Sequence, residues 1–171
     1  MHKAAGLLFT AAILLPVGLT TSPASAAGGT TCAPPSGTIT ASPGITATPK
    51  VQTITINLPI AGCKAGGVTG GSFAGSLKTT PISLGNVAKT AATLKLTSTI
   101  KWKPTGTSTL AATSVTKIVG KSIVSTVTGK ISKGTFANLT FKSVQTVTLG
   151  PLVGGAVKNL TIKGTTPITI S

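Results

Sequence analysis

The chain has 171 residues, with fifteen Lys and no Arg, no Asp or Glu, one His and no Tyr, for a formal net charge of +15. Without a carboxylate side chain it cannot build a carboxylate dyad, a Ser-His-Asp triad, an oxygen-lined Ca²⁺ or Mg²⁺ cage, or a His/Glu zinc site. Non-covalent work is what this composition leaves, so no enzyme and no cofactor are expected.

Met1-His2-Lys3 is a short basic head, Ala4 to Leu15 is an apolar or small stretch, and Ala24-Ser25-Ala26 is an A-x-A cleavage site. Residues 1–26 therefore read as a Sec-type signal peptide. The apolar stretch falls short of the roughly 18–20 residues that cross a bilayer, so no transmembrane segment is expected after processing. The mature chain is expected outside the cell, at most loosely held to the envelope, and it would lose His2 and Lys3. The remainder divides into an N-terminal segment, 27–36, and a single all-β domain, 37–171. Cys32 and Cys63, the two cysteines, are expected to pair in the oxidising compartment. The loop they close is worth roughly 3–4 kcal/mol against the unfolded ensemble. No metal site is expected, because no His, Asp or Glu remains to complete a coordination shell.

Along the domain the apolar residues alternate with period two, the signature of half-buried strands. Thr38 to Ala41 is a short candidate, ended by Pro43-Gly44 as a turn. Gln52, Ile54, Ile56 and Leu58 alternate with Val51, Thr53, Thr55 and Asn57. Gly66-Gly67 and Gly70-Gly71 read as turns before a strand from Ser72 to Leu77. The clearest segment is Leu94 to Lys103, where Leu94, Leu96, Ser98, Ile100 and Trp102 oppose Lys95, Thr97, Thr99, Lys101 and Lys103. Pro104-Thr105-Gly106 comes next as turn chemistry. Thr107 to Val119 is a further strand, bulged because its apolar phase slips after Leu110. Lys121 to Ile131 is another, with Gly129 and Gly134 as turn signals. Leu139 to Leu149 alternates clearly, Gly150-Pro151 and Gly154-Gly155 punctuate, and Val157 to Lys163 and Pro167 to Ile170 complete the set. About eight to nine strands with hairpin-length connections predict a single antiparallel β-sandwich or an up-and-down β-barrel.

Several fragments imitate catalytic or binding motifs. Ser98-Thr99-Ile100-Lys101 and Ser114-Val115-Thr116-Lys117 match S-x-x-K, whose chemistry needs positions i and i+3 on one helix face. On a strand those positions point to opposite sides, so neither is expected to act. Gly120-Lys121-Ser122 echoes the end of a phosphate-binding loop, but Val115 stands where the first Gly belongs and the next segment is a strand. Asn138-Leu139-Thr140 and Asn159-Leu160-Thr161 are glycosylation acceptors only in a host that glycosylates. Gly66 to Gly71 could cradle an anion, although such runs are more often plain loops.

The pattern Cys32…Gly62-Cys63, glycine-punctuated Thr/Ser strands, and then Val127-Thr128-Gly129-Lys130-Ile131-Ser132-Lys133-Gly134-Thr135-Phe136-Ala137-Asn138 resembles small secreted Thr/Gly-rich all-β proteins of actinobacteria. That resemblance implies a bacterial source and carries over no catalytic residue. The chain departs from the pattern in lacking a second cysteine pair and in placing Asn138 at a Gly position, where Asn is the usual substitute in a left-handed turn.

Charge is the remaining signal. No lysine has an acidic side chain to pair with, so the field around the molecule favours polyanions. Lys95, Lys101 and Lys103 share one strand face, and Lys142 is expected on a neighbouring strand; together they form the candidate anion-binding patch. The alternative use of such lysines is a solvated face that guards sheet edges. Specific nucleic-acid reading is disfavoured by the lack of Arg forks and aromatic platforms. The leading expectation is a secreted, non-enzymatic cationic domain that associates electrostatically with anionic cell-envelope or extracellular polymers. The second is a barrel carrier of a small apolar ligand, for which a cavity on the order of 300 Å³ or more is the supporting sign and a fully packed interior the opposing one.

Overall fold

The computed structural model describes residues 28–87, 93–119 and 122–171. The expected signal peptide lies outside them. Ten strands occur in chain order: β1 (Thr30–Cys32), β2 (Ser36–Ile45), β3 (Thr53–Ala61), β4 (Gly70–Lys78), β5 (Thr93–Lys103), β6 (Thr107–Val119), β7 (Ser122–Gly134), β8 (Thr140–Leu149), β9 (Val157–Gly164) and β10 (Ile168–Ile170). From β2 to β9 each strand pairs antiparallel with the next, and β9 pairs with β2, so eight strands close into an up-and-down barrel. Closure removes the edges that an open Thr-rich sheet would present to other chains.

The period-two pattern sets which side chains enter the barrel. On β5, Leu96, Ser98, Ile100 and Trp102 are buried while Lys95, Thr97, Thr99, Lys101 and Lys103 are exposed. β-Branched Thr is the commonest outward residue, followed by Lys, and Ile, Leu and Val fill most inward positions, a distribution suited to a pleated wall with water on one side. The bulge expected in β6 is not there: Ser108, Leu110, Ala112 and Ser114 are buried on alternate positions straight through Leu110, and the extra residue lies on the partner strand β7. Thr109 pairs with Lys133 and Leu110 with Ile131, leaving Ser132 as the extra residue of a bulge. That extra residue is why Lys130 and Lys133, three apart, are both exposed while Ile131 between them is buried.

Three turn readings are corrected. Pro43-Gly44 lies inside β2, at an irregularity where the register with β9 shifts between Thr40 and Ile45; Gly44 takes φ 122° there, a conformation that side chains rarely adopt. Gly70-Gly71 opens β4, and Gly129 sits mid-strand in β7, paired with Ala112 and Phe141. At these positions glycine answers to close approach of neighbouring strands. A Cβ on Gly71 would lie 2.2 Å from the Lys101 carbonyl oxygen, and one on Gly129 would lie 2.5 Å from the Ala112 Cβ. Asn138 does take the left-handed conformation, φ 70°.

The two ends of the barrel differ. At the end where β5 meets β6, Trp102 packs edge-on against Phe136 with ring centroids 5.2 Å apart. The Trp102 indole Nε1 donates to Ser108 Oγ at 2.8 Å, and the Ser108 hydroxyl donates to the Thr135 carbonyl. β10 continues along the edge of β8 beyond β9, β1 pairs with β10, and Ile168, Ile170 and Cys32 are buried there. The segment set apart as N-terminal thus supplies β1 and the first residue of β2. The Cys32 and Cys63 sulfurs stand 2.05 Å apart, at disulfide distance, tying β1 to the loop after β3. This capped end is where the aromatic and sulfur groups collect. The opposite, open end is formed by the β2–β3, β4–β5, β6–β7 and β8–β9 connections. There Gln52 is fully buried and accepts from the Gly44 N–H at 2.9 Å, next to Ile45 and Ile82.

Candidate functional site: the lysine wall and the barrel interior

Every lysine among the described residues is exposed. Those within strands are Lys78 on β4, Lys95, Lys101 and Lys103 on β5, Lys117 on β6, Lys130 and Lys133 on β7, Lys142 on β8, and Lys158 and Lys163 on β9. β2 and β3 carry none. Their outward positions hold Thr38, Thr40, Ser42, Thr55 and Asn57 instead. Lysine is therefore absent from two of the eight barrel strands and present on the other six: β5–β9 form a basic wall, Lys78 on β4 lies beyond it, and a neutral hydroxyl strip runs over β2–β3.

Of the four lysines singled out from the sequence, Lys101 and Lys103 stand together near the capped end of β5. Lys95 is six residues away on the same strand, roughly 20 Å at about 3.4 Å per residue. Lys142 is not on a strand beside β5. It lies on β8, with β6 and β7 between, in the lateral row Lys95–Thr113–Thr128–Lys142, which spans roughly 14 Å at about 4.8 Å per strand. Chain separation carries no information about how many strands intervene, which is why the sequence could not place it. The wall gains two members that sequence reasoning passed over, Lys130 and Lys133. They sat in a segment read for its turn glycines, and the bulge that turns both outward shows only once β6 and β7 are paired.

Across strand pairs the lysines of this wall avoid one another. Each faces Thr, Ser, Gly, Ala or Val across the strand pair: Lys101 with Thr107 and Ser72, Lys130 with Ala111 and Thr140, Lys133 with Thr109, Lys142 with Thr128 and Thr169. The nearest lateral pair, Lys130 and Lys142, are diagonal neighbours, roughly 7–8 Å apart. That spacing is close to the screening length of about 8 Å at physiological salt, so the wall repels itself little yet sums to a strong external field. Such an array attracts an extended polyanion whose charges recur along a chain. It offers no convergent fork for a single compact anion.

The S-x-x-K fragments fall as strand geometry predicts. Ser98 and Ser114 are buried and face inward, whereas Lys101 and Lys117 are exposed on the outer wall. Ser122 begins a strand, the wrong element for a phosphate-binding loop; Gly120 and Lys121 lie outside the described residues. No cluster of His, Cys, Asp or Glu able to hold a metal occurs among the described residues.

Inside the barrel is a cavity of about 130 Å³, lined mainly by Ile, Leu, Val and Phe, including Ile39, Ile54, Phe73, Phe141 and Ile162. It is neither the fully packed interior nor the 300 Å³ space that bracket the carrier expectation. Along one side, β6, β7 and β8 contribute Ser114, Thr116, Ser125, Ser143 and Gln145. Ser114 Oγ and Ser125 Oγ hydrogen-bond at 2.7 Å. Ser143 is 2% exposed and its Oγ has no partner. Leu94, Thr116, Ile123 and Val147, which are partly exposed, lie towards the open end, while Ile60 and Ile168 at the capped end are buried. The cavity thus meets solvent at the open end.

Compared with known proteins, the chain matches no family model, no curated relative and no solved structure. The functional reading therefore rests on the geometry of the wall and the cavity.

Proposed function

We propose that the protein is an exported, non-enzymatic cationic barrel that associates electrostatically with anionic cell-envelope or extracellular polymers through its β5–β9 wall. The observation that carries this reading is that nine of the twelve described lysines stand exposed on β5–β9, with β2 and β3 left bare, in a chain that has no Asp or Glu to neutralise them. A use in solubility alone would not require two strands to be left without lysine. The test is retention of the purified domain on an immobilised polyanion. Retention at low salt that falls steeply as salt rises is expected, since each neutralised anionic site releases a counterion. Absence of retention at low salt, or retention unchanged in about 1 M salt, removes the reading.

A second reading, a carrier of a small apolar ligand, lacks the space of roughly 300 Å³ that is its supporting sign; it rests on the unpartnered Ser143 hydroxyl facing into the smaller cavity. At about 130 Å³ the space suits a single-ring molecule bearing one hydrogen-bonding group. Phenol and benzene are the probes. Phenol is expected to bind more tightly than benzene, and Ser143→Ala to remove most of the difference; no saturable binding of either would dispose of this reading.

A further inference from the structure

The large hydrophobic side chains exposed among the described residues are Val51, Val115, Ile118, Val119, Leu152 and Val153, between 38% and 68% exposed. All lie at or next to the open end. Val51 is in the β2–β3 connection, Leu152 and Val153 are in the β8–β9 connection, and Ile118 and Val119 end β6. Ile118 and Val119 pair with Ile123 and Ser122 at the tip of the β6–β7 hairpin. Three of the four connections at this end therefore carry apolar side chains into solvent. At the capped end the connections expose only Ala, Pro, Gly, Thr, Asn and Lys. Exposed apolar side chains confined to one end of a molecule point to an interaction surface there.

Lysines accompany these tips. Lys50 precedes Val51, Lys117 precedes Ile118, and Lys158 is the second residue of β9, just past the β8–β9 connection. Apolar side chains that reach past a collar of lysines match the boundary of an anionic bilayer, where acyl chains lie beneath negative headgroups. Two other occupants fit worse. A second copy would bring lysine against lysine with no carboxylate side chain to offset them. A spanning barrel needs an apolar outer band, whereas the outer wall here is Thr, Ser and Lys.

We infer that the open end of the barrel docks on the surface of an anionic phospholipid bilayer, inserting the Ile118–Val119 and Leu152–Val153 tips while the neighbouring lysines face the headgroups. The contact lies at the open-end rim, sharing Lys117 and Lys158 with the β5–β9 wall but not its Lys101, Lys130, Lys133 and Lys142, and it places the cavity mouth against the lipid.

The experiment is co-sedimentation of the domain with vesicles of phosphatidylglycerol and phosphatidylcholine, and with phosphatidylcholine alone. Binding to the mixed vesicles and little to the neutral ones is expected. The variant Ile118→Ser/Val119→Ser/Leu152→Ser/Val153→Ser should lose about tenfold or more of that binding, while its retention on the soluble-phase polyanion column stays as in the parent. A second variant, Ile118→Trp, should show a blue shift with mixed vesicles, with the buried Trp102 at the far end as an unresponsive internal control. Equal binding by parent and quadruple variant, or equal binding to both vesicle types, overturns the inference. So does a dimer in sedimentation velocity that the quadruple variant abolishes. Loss of polyanion retention with vesicle binding intact would instead remove only the wall reading.

Discussion

Gly129 shows what one residue contributes to a closed barrel. Its missing side chain leaves room for the β6 backbone, since a Cβ there would sit 2.4 Å from the Ala111 carbonyl oxygen and 2.5 Å from the Ala112 Cβ. Gly129→Ala must push β6 and β7 apart in the middle of their ladder and is expected to lower stability by about 1–3 kcal/mol, read from urea unfolding midpoints. A midpoint equal to the parent's would show that the strands are not so close. In the sequence the same residue reads as a turn signal, because glycine marks both positive φ and close approach and one chain does not say which. Alternation on β5 was fully legible by contrast. Trp102 and Ile100 face in and Lys101 and Lys103 face out, because period two fixes the side of a sheet wherever the strand is long and one face is wet.

Longer elements were the more readable. β5 to β8 each run ten residues or more and announce themselves by alternation, and even the three-residue β10 was expected as Pro167 to Ile170, whereas β1, also of three residues, was not read as a strand. Their role depends on long-range pairing, β1 with β10 and β10 with β8, that no local pattern encodes. The same limit applies to the wall. Its membership on β5 came from the pattern, but the distance from β5 to Lys142 required the strand order, and Lys133 required the bulge. At this scale the Cys32–Cys63 link is the strongest single tie, because it holds the short β1 across a separation of 31 residues. Replacing both cysteines by Ser is expected to cost roughly 3–4 kcal/mol in the chain-entropy account. Loss of β1 from the capped end should be visible as faster amide exchange at Thr30–Cys32 than in the rest of the barrel. A midpoint unchanged by the double substitution would contradict this.

For the whole molecule, composition dictates the response to pH. With no Asp, Glu or Tyr, the only side chain that ordinarily titrates between about pH 4 and 8 is His2, outside the described residues. Folded and unfolded chains then bind the same number of protons across that window, and stability acquires almost no slope. The thermal midpoint at fixed salt is expected to move by no more than about 2 °C from pH 4 to pH 8, and a drift of many degrees would show that some group titrates differently in the two states.

Net charge alone could hold such a molecule to a polyanion, so the position of the lysines is the central claim. The measurement that separates position from sum is polyanion retention of two variants with equal charge removed. One carries Lys101→Gln, Lys130→Gln and Lys142→Gln on the wall, and the other Lys50→Gln, Lys64→Gln and Lys78→Gln outside it. Elution of the first at clearly lower salt than the second is the predicted result; elution of both at the same salt would contradict it.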